Sequence, residues 1–210
     1  PGTEDPDRGS PKYVNSPETE IYKKSSVLYG LSQARNAIQR TGRILVVEGY
    51  FDVLSLHQAG FEEAVATCGT ALTPEHMRAI RPLARTVYTL FDLDEAGQRA
   101  AVKSLVLFLE AGIEPYRLET DAGKDPDELI QEHGPAAFEA LIAKAEPVID
   151  LLVRRLVAHH GQGAGALDRV LGDLAPVLRL YRDAARFRVV ERIARRFSVP
   201  VGAVEERLGK

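Results

Sequence analysis

RILVVEGYFDV occupies residues 43–53 and TVYTLFDLDEAG residues 86–97. In each, an apolar, β-branched run ends at acid. Residues 44–47 stop at Glu48, and 87–91 stop at Asp92, with Asp94 two positions on. Runs of this length and composition read as buried strands, and strands buried on both faces belong to parallel sheets. A helical pattern follows each acid at once, over 51–59 and 95–110. The expected fold is α/β, a small, mostly parallel sheet flanked by helices. Ligands of such sheets bind beyond the carboxyl ends of the strands. Glu48, Asp92 and Asp94 are therefore the candidate site.

The spacing has a chemical reason. Residues i and i+2 of an extended segment point to the same side. Asp92 and Asp94 then present two carboxylates together, and Glu48 adds a third from another strand. Carboxylates this close repel unless a cation lies between them. Mg²⁺ or Mn²⁺ suits the place, because a hard divalent cation prefers oxygen and keeps waters that a substrate phosphate can replace. Helix N-termini after Glu48 and Asp94 would turn backbone N–H groups toward an anion. The competing reading is that strand-end acids cap helices. It accounts for Glu48 alone but not for a second cluster on another strand.

Glu48-Gly49 after a hydrophobic strand, then Asp92-x-Asp94 with Ala96-Gly97, resembles the TOPRIM domain. That domain is shared by bacterial primases, topoisomerases of types IA and II, and some nucleases. The finer resemblance is to the bacterial replicative primases of the DnaG type. NSPET at 15–19, LYG at 28–30, VVEGYFDV at 46–53, GTALT at 69–73, FDLDEAG at 91–97 and DPD at 125–127 stand in that family's order. Leu93 departs from it, since the family most often has a small residue there, usually Gly. A Leu restricts the backbone and crowds the metal loop, so a negative φ is expected.

The resemblance implies a catalytic-core fragment that makes short RNA primers on single-stranded DNA by nucleotidyl transfer, using two or more Mg²⁺ or Mn²⁺ ions. Glu48 and Asp92 would hold one ion, and Asp92 and Asp94 another; Glu48 as general base is the alternative. Lys24 would hold incoming nucleotide phosphates, and Lys23 would meet nucleic acid. A solvated lysine pair is the competing reading for both. Asp125 and Asp127 would face the metal site as a second acid pair. Alternatively, Asp125, Pro126 and Glu128 form a helix-capping box, which leaves Asp127 unexplained. The implied partners are a single-stranded DNA template, nucleoside triphosphates and, through a C-terminal domain this chain lacks, a replicative helicase. The implied place is the cytoplasm, at the replication fork. Rival readings are a topoisomerase or nuclease on the same domain, or a non-catalytic module that binds a replication partner.

Bulk properties set limits. The 210 residues carry a net charge of −3 and are 45% hydrophobic, with no apolar run near the length that spans a membrane. No signal peptide is apparent, and the N-terminus is polar and turn-rich without Met, which reads as a fragment. The single cysteine, Cys68, excludes an internal disulfide and a cysteine-based zinc site. Charge is uneven: residues 1–150 have 15 Lys and Arg against 24 Asp and Glu, and residues 151–210 have 12 against 6. An acidic site beside a basic arm suits a phosphate-rich partner.

The remaining pattern divides the chain into 1–40, a remnant of an N-terminal subdomain with a linking helix; 41–133, the TOPRIM unit; and 134–210, an all-helical bundle. Short strands are expected at 63–67 and 116–118. Thr73-Pro74 starts a helix with His76 as a surface residue in its first turn. Thr70 reads as a turn residue near the crevice. Helices are expected at 137–145, 147–159, 165–180, 182–197 and 200–208. Arg188 and Arg192 share a face and either track a nucleic-acid backbone or form a solvated surface. His159 and His160 are expected to point apart.

Overall fold

The computed structural model describes residues 17–20, 22–67, 70–90, 97–120, 126–163 and 165–209. Its strands are β1 (Arg43–Val47), β2 (Ala64–Ala66), β3 (Thr86–Thr89), β4 (Pro115–Arg117) and β5 (Glu146–Pro147). They form one sheet in the order β2-β1-β3-β4-β5. The first four are mutually parallel, and β5 closes the edge antiparallel to β4. The helices are α1 (Leu31–Thr41), α2 (Tyr50–Gln58), α3 (Pro74–Ile80), α4 (Gly97–Glu110), α5 (Pro126–His133), α6 (Pro135–Ala143), α7 (Val148–His160), α8 (Ala166–Leu178), α9 (Asp183–Phe197) and α10 (Val201–Leu208). None of them is long and apolar enough to cross a membrane.

The alternation of β1 builds both faces. Successive strand side chains point to opposite sides, and here both sides are apolar. Ile44 and Val46 join Val65, Val87, Ala34 and Ile38 of α1, Met77 and Ile80 of α3, and Phe108 of α4. Leu45 and Val47 join Ala64, Ala66, Val53 and Leu56 of α2, and Phe138 and Ile142 of α6. Phe61 meets Phe138 edge-on, with ring centroids 4.7 Å apart. The first cluster lies under α1, α3 and α4, the second under α2 and α6, so β1 is buried on both faces as its composition predicts.

A third cluster holds the helical end together. Ala101 and Leu105 of α4 pack with apolar residues of α7, α8, α9 and α10. α4 is thus a shared wall: Phe108 faces the sheet while Leu105 faces the bundle.

Two features differ from expectation. β5 was not foreseen, because two residues are too few to leave a strand pattern; Tyr116 pairs with Pro147 and Arg117 with Glu146. α6 also packs its core residues on the sheet cluster, so the packing seam between sheet and bundle falls near residue 148.

Candidate functional site

β1 is the strand at which the sheet order reverses. The chain goes from β1 outward to β2, returns, and places β3 on the other side of β1. The crevice between β1 and β3, at their carboxyl ends, is the topological switch point, where ligands of open α/β sheets bind. Both strands leave the sheet there at the same level. Val46 pairs with Thr89 in register, and the Leu90 N–H donates to the Val46 carbonyl at 3.0 Å. On the other side, the Thr67 N–H donates to the Val47 carbonyl at 3.4 Å. Glu48 follows Val47 directly and is exposed. Asp92 and Asp94 follow Leu90 by two and four residues and lie outside the described residues, as do Leu93 and Asp125.

The turn that carries Glu48 is locked by a residue that the sequence reading passed over. Asp52, the third residue of α2, accepts from the Gly49 N–H at 3.0 Å. This is the returning half of a capping box, and an acid at that position after a strand-end glycine is its signal. A Cβ on Gly49 would stand 3.3 Å from the Asp52 carboxylate, so the glycine also leaves room for the cap.

Asp127 is half-buried in the first turn of α5 and faces α2. Its Oδ1 accepts from the Ser55 hydroxyl and from Gln131 Nε2, the latter at 2.8 Å. Glu48 and Asp127 therefore flank the same helix, one before its N-terminus and one across its side. Among the described residues no three potential ligands come together as a metal-binding group.

The lysines sit on a fastened turn. The Lys24 N–H donates to Glu18 Oε1 at 3.0 Å, and the Lys23 carbonyl accepts from the Ser26 N–H at 2.9 Å. Lys23 is exposed and Lys24 half-exposed. His76 corrects the sequence expectation. It is not a surface residue but fully buried, with Nε2 3.1 Å from the Lys24 carbonyl. Burial lowers its pKa from the ordinary imidazole value, which favours the neutral ring, so Nε2–H is the donor. Thr70 behaves as a turn residue, donating from Oγ1 to the Thr67 carbonyl at 2.9 Å.

The two arginines of α9 differ. Arg188 is exposed, next to the exposed Phe187. Arg192 is half-exposed and ion-paired with Asp150 of α7. Burial nevertheless holds the Asp150 carboxyl above its ordinary value, against the pull of Arg192. The two histidines at the end of α7 do not point apart as expected. Their rings meet edge-on with centroids 4.8 Å apart, and His160 Nε2 lies 2.7 Å from Asp173 Oδ2.

Known proteins resemble this arrangement along nearly the whole chain. A family model described as Toprim-like matches residues 45–130, the span holding Glu48, Asp92, Asp94, Asp125 and Asp127. A second, described as DNA primase catalytic core, N-terminal domain, matches residues 3–35, which hold Lys23 and Lys24. The DNA primase of Aquifex aeolicus is 34% identical over 178 residues, covering 85% of this chain and 36% of that protein. That of Clostridium acetobutylicum is 42% identical over 150 residues, covering 71% and 25%. Among solved structures, a DnaG primase catalytic domain bound to ssDNA superposes with a TM-score of 0.81 at 30% identity, covering 94% of this chain and 64% of that one. The RNA polymerase domain of Mycobacterium tuberculosis primase DnaG gives 0.76 at 34% identity, covering 90% and 62%. The chain spans between a quarter and about a third of the length of these two curated relatives.

Proposed function

The chain belongs to the DnaG-type bacterial DNA primases, as a piece of their catalytic core, and from that premise we propose that it carries the phosphoryl-transfer site of a DNA-directed RNA polymerase that makes primers on single-stranded DNA. In the reaction, the 3′-hydroxyl oxygen of the growing primer forms a bond to the α-phosphorus of a nucleoside triphosphate. The α–β bridging bond breaks and pyrophosphate leaves with its electrons. The Toprim-like match carries divalent-metal use with it. The donor set fits Mg²⁺ or Mn²⁺, since every candidate ligand is a carboxylate and the described one at the switch point, Glu48, is exposed. When bound, two such ions would lower the pKa of the attacking hydroxyl and neutralise the leaving phosphates.

The chain's own residues do the positioning. Glu48 and Asp92 would hold one ion and Asp92 and Asp94 another; alternatively Glu48 would take the proton of the attacking hydroxyl. Asp52 keeps Glu48 at the strand end through its bond to Gly49. Asp127 and Asp125 would contact metal directly or through water, with one oxygen of the Asp127 carboxylate held by the Ser55 hydroxyl. Lys24 receives the triphosphate, and Lys23, Arg188 and Arg192 meet the template backbone. We assign residues 1–40, 41–133 and 134–210 to the N-terminal remnant, the Toprim unit and the helical unit, with α6 and β5 packed on the sheet side.

The observation that carries this reading is the coincidence of acid with topology. Glu48 leaves β1 at the switch point, and the chain to Asp92 leaves β3 beside it. Calorimetric titration with Mn²⁺ tests it. Asp92→Ala should abolish the main binding event without lowering thermal stability, because one repelling carboxylate is removed. An unchanged Mn²⁺ affinity would place the ions elsewhere.

A further inference from the structure

We infer that His76 is a positioning residue for the nucleoside triphosphate, acting through the backbone of Lys24. The inference rests on the reading of Lys24 as a phosphate ligand. His76 occupies the third position of α3, a helix whose start is built by Thr73 and Pro74. Its own N–H donates to Thr73 Oγ1 at 3.2 Å. The Thr73 hydroxyl in turn donates to the Ser25 carbonyl, while the His76 ring donates to the Lys24 carbonyl at 3.1 Å. Two consecutive carbonyls of the lysine turn are thus held by two side chains from the first turn of one helix.

The far side of the turn is held as well. Tyr29 exchanges both backbone hydrogen bonds with Ala66, at 2.8 and 3.1 Å, at the carboxyl end of β2. Leu28 is buried in the cluster that contains Met77 and Ile80 of α3. The turn therefore hangs between α3 and the carboxyl edge of the sheet, the edge that carries Glu48. A lysine side chain has four rotatable bonds, so its reach to a fixed phosphate depends on where its backbone stands.

The ring also faces the backbone of the same turn at Val27. It is fully buried, and its Nδ1 has no hydrogen-bond partner among the described residues. A buried polar atom without a partner is a cost. A leucine or methionine would fill the same space without it, but neither could hold the Lys24 carbonyl.

The test is a double-mutant cycle on the 210-residue chain, read as the affinity for ATP with Mn²⁺ by calorimetry. Lys24→Ala should weaken binding by about tenfold, the scale of one hydrogen bond to a charged group. His76→Asn, too short to reach the carbonyl, should weaken it about threefold, a displaced rather than a deleted contact. His76→Gln, whose amide nitrogen stands near the place of Nε2, should recover most of the loss. In the Lys24→Ala background His76→Asn should cost nothing more, because the two act as one unit. His76→Phe, which keeps the buried ring and lacks the donor, repeats the comparison should the Asn variant be unstable. Additive losses, or wild-type affinity in both the Asn and Phe variants, overturn the role of His76 alone. Wild-type affinity in Lys24→Ala overturns the reading of Lys24 and this inference with it.

Discussion

Gly30 has a φ of +79°, and a Cβ there would stand 3.0 Å from Val53 Cγ1 and 3.3 Å from the Ala64 carbonyl. It joins the lysine turn to α1 while letting that junction press against α2 and β2. Gly30→Ala should cost about 2 kcal/mol, for the left-handed backbone and the close approach together. Urea denaturation should show a lower midpoint with an unchanged slope, and an unaltered midpoint would mean that the junction yields freely. Residue by residue, legibility in the sequence followed locality. The strand-end position of Glu48 was readable because it comes from the four apolar residues before it. Asp52 left a readable cap signal that went unused. His76 was misread as exposed, since its cover, the turn at Lys24, lies 52 positions away in the chain. Helix-start chemistry describes only the backbone at Thr73-Pro74 and says nothing about what lies on top.

Among elements, α6 shows how the sheet recruits a helix that sequence pattern assigns to the bundle. Phe138 and Ile142 reach the sheet cluster, and Arg43 fastens the other end. Its Nε donates to Glu63 at 2.5 Å, and its two terminal nitrogens to the two oxygens of Glu139 on α6, at 2.9 and 3.2 Å. Glu63 is almost wholly buried, with 3% of its side chain exposed, so Arg43 is what makes its charge tolerable. The two carboxylates raise the Arg43 pKa further above its already high value. Arg43→Met should therefore cost about 3 kcal/mol, because it strands a buried carboxylate. Adding Glu63→Leu should restore most of that loss, and a double variant no more stable than the single one would refute the pairing as its cause. Helix and strand positions were legible over most of the described chain, since apolar period and caps are local. The membership of α6 and the edge strand β5 were not. One depends on a salt bridge spanning 96 residues, and the other is two residues long.

Across the whole molecule, charge and topology divide the work unevenly. Residues 1–150 carry 15 cationic against 24 acidic residues, and 151–210 carry 12 against 6. The acid is what a metal site needs, but it repels a template. Much of the positive charge of the helical end is already engaged. Arg186 pairs with Glu205, Arg192 with Asp150, Arg195 with Glu191 and Arg207 with Asp168. Among the described cations outside these pairs, Arg188, Lys23 and Lys24 are the ones assigned above to phosphate. These 210 residues should thus bind single-stranded DNA weakly, with a log–log salt slope of only about −2, as two or three released counterions would give. Positioning supplies much of the rate in phosphoryl transfer, so primer synthesis by this chain should be slight even with divalent metal supplied. A polypeptide extended upstream to the length of the solved catalytic domains, of which this chain covers 64%, should synthesise primers far faster and show a steeper salt slope. Fluorescence anisotropy with labelled single-stranded DNA, run beside a primer-synthesis assay on both polypeptides, checks the two expectations together. Equal rates from the two would mean that Lys23, Lys24 and the arginines of α9 suffice to hold the template in line.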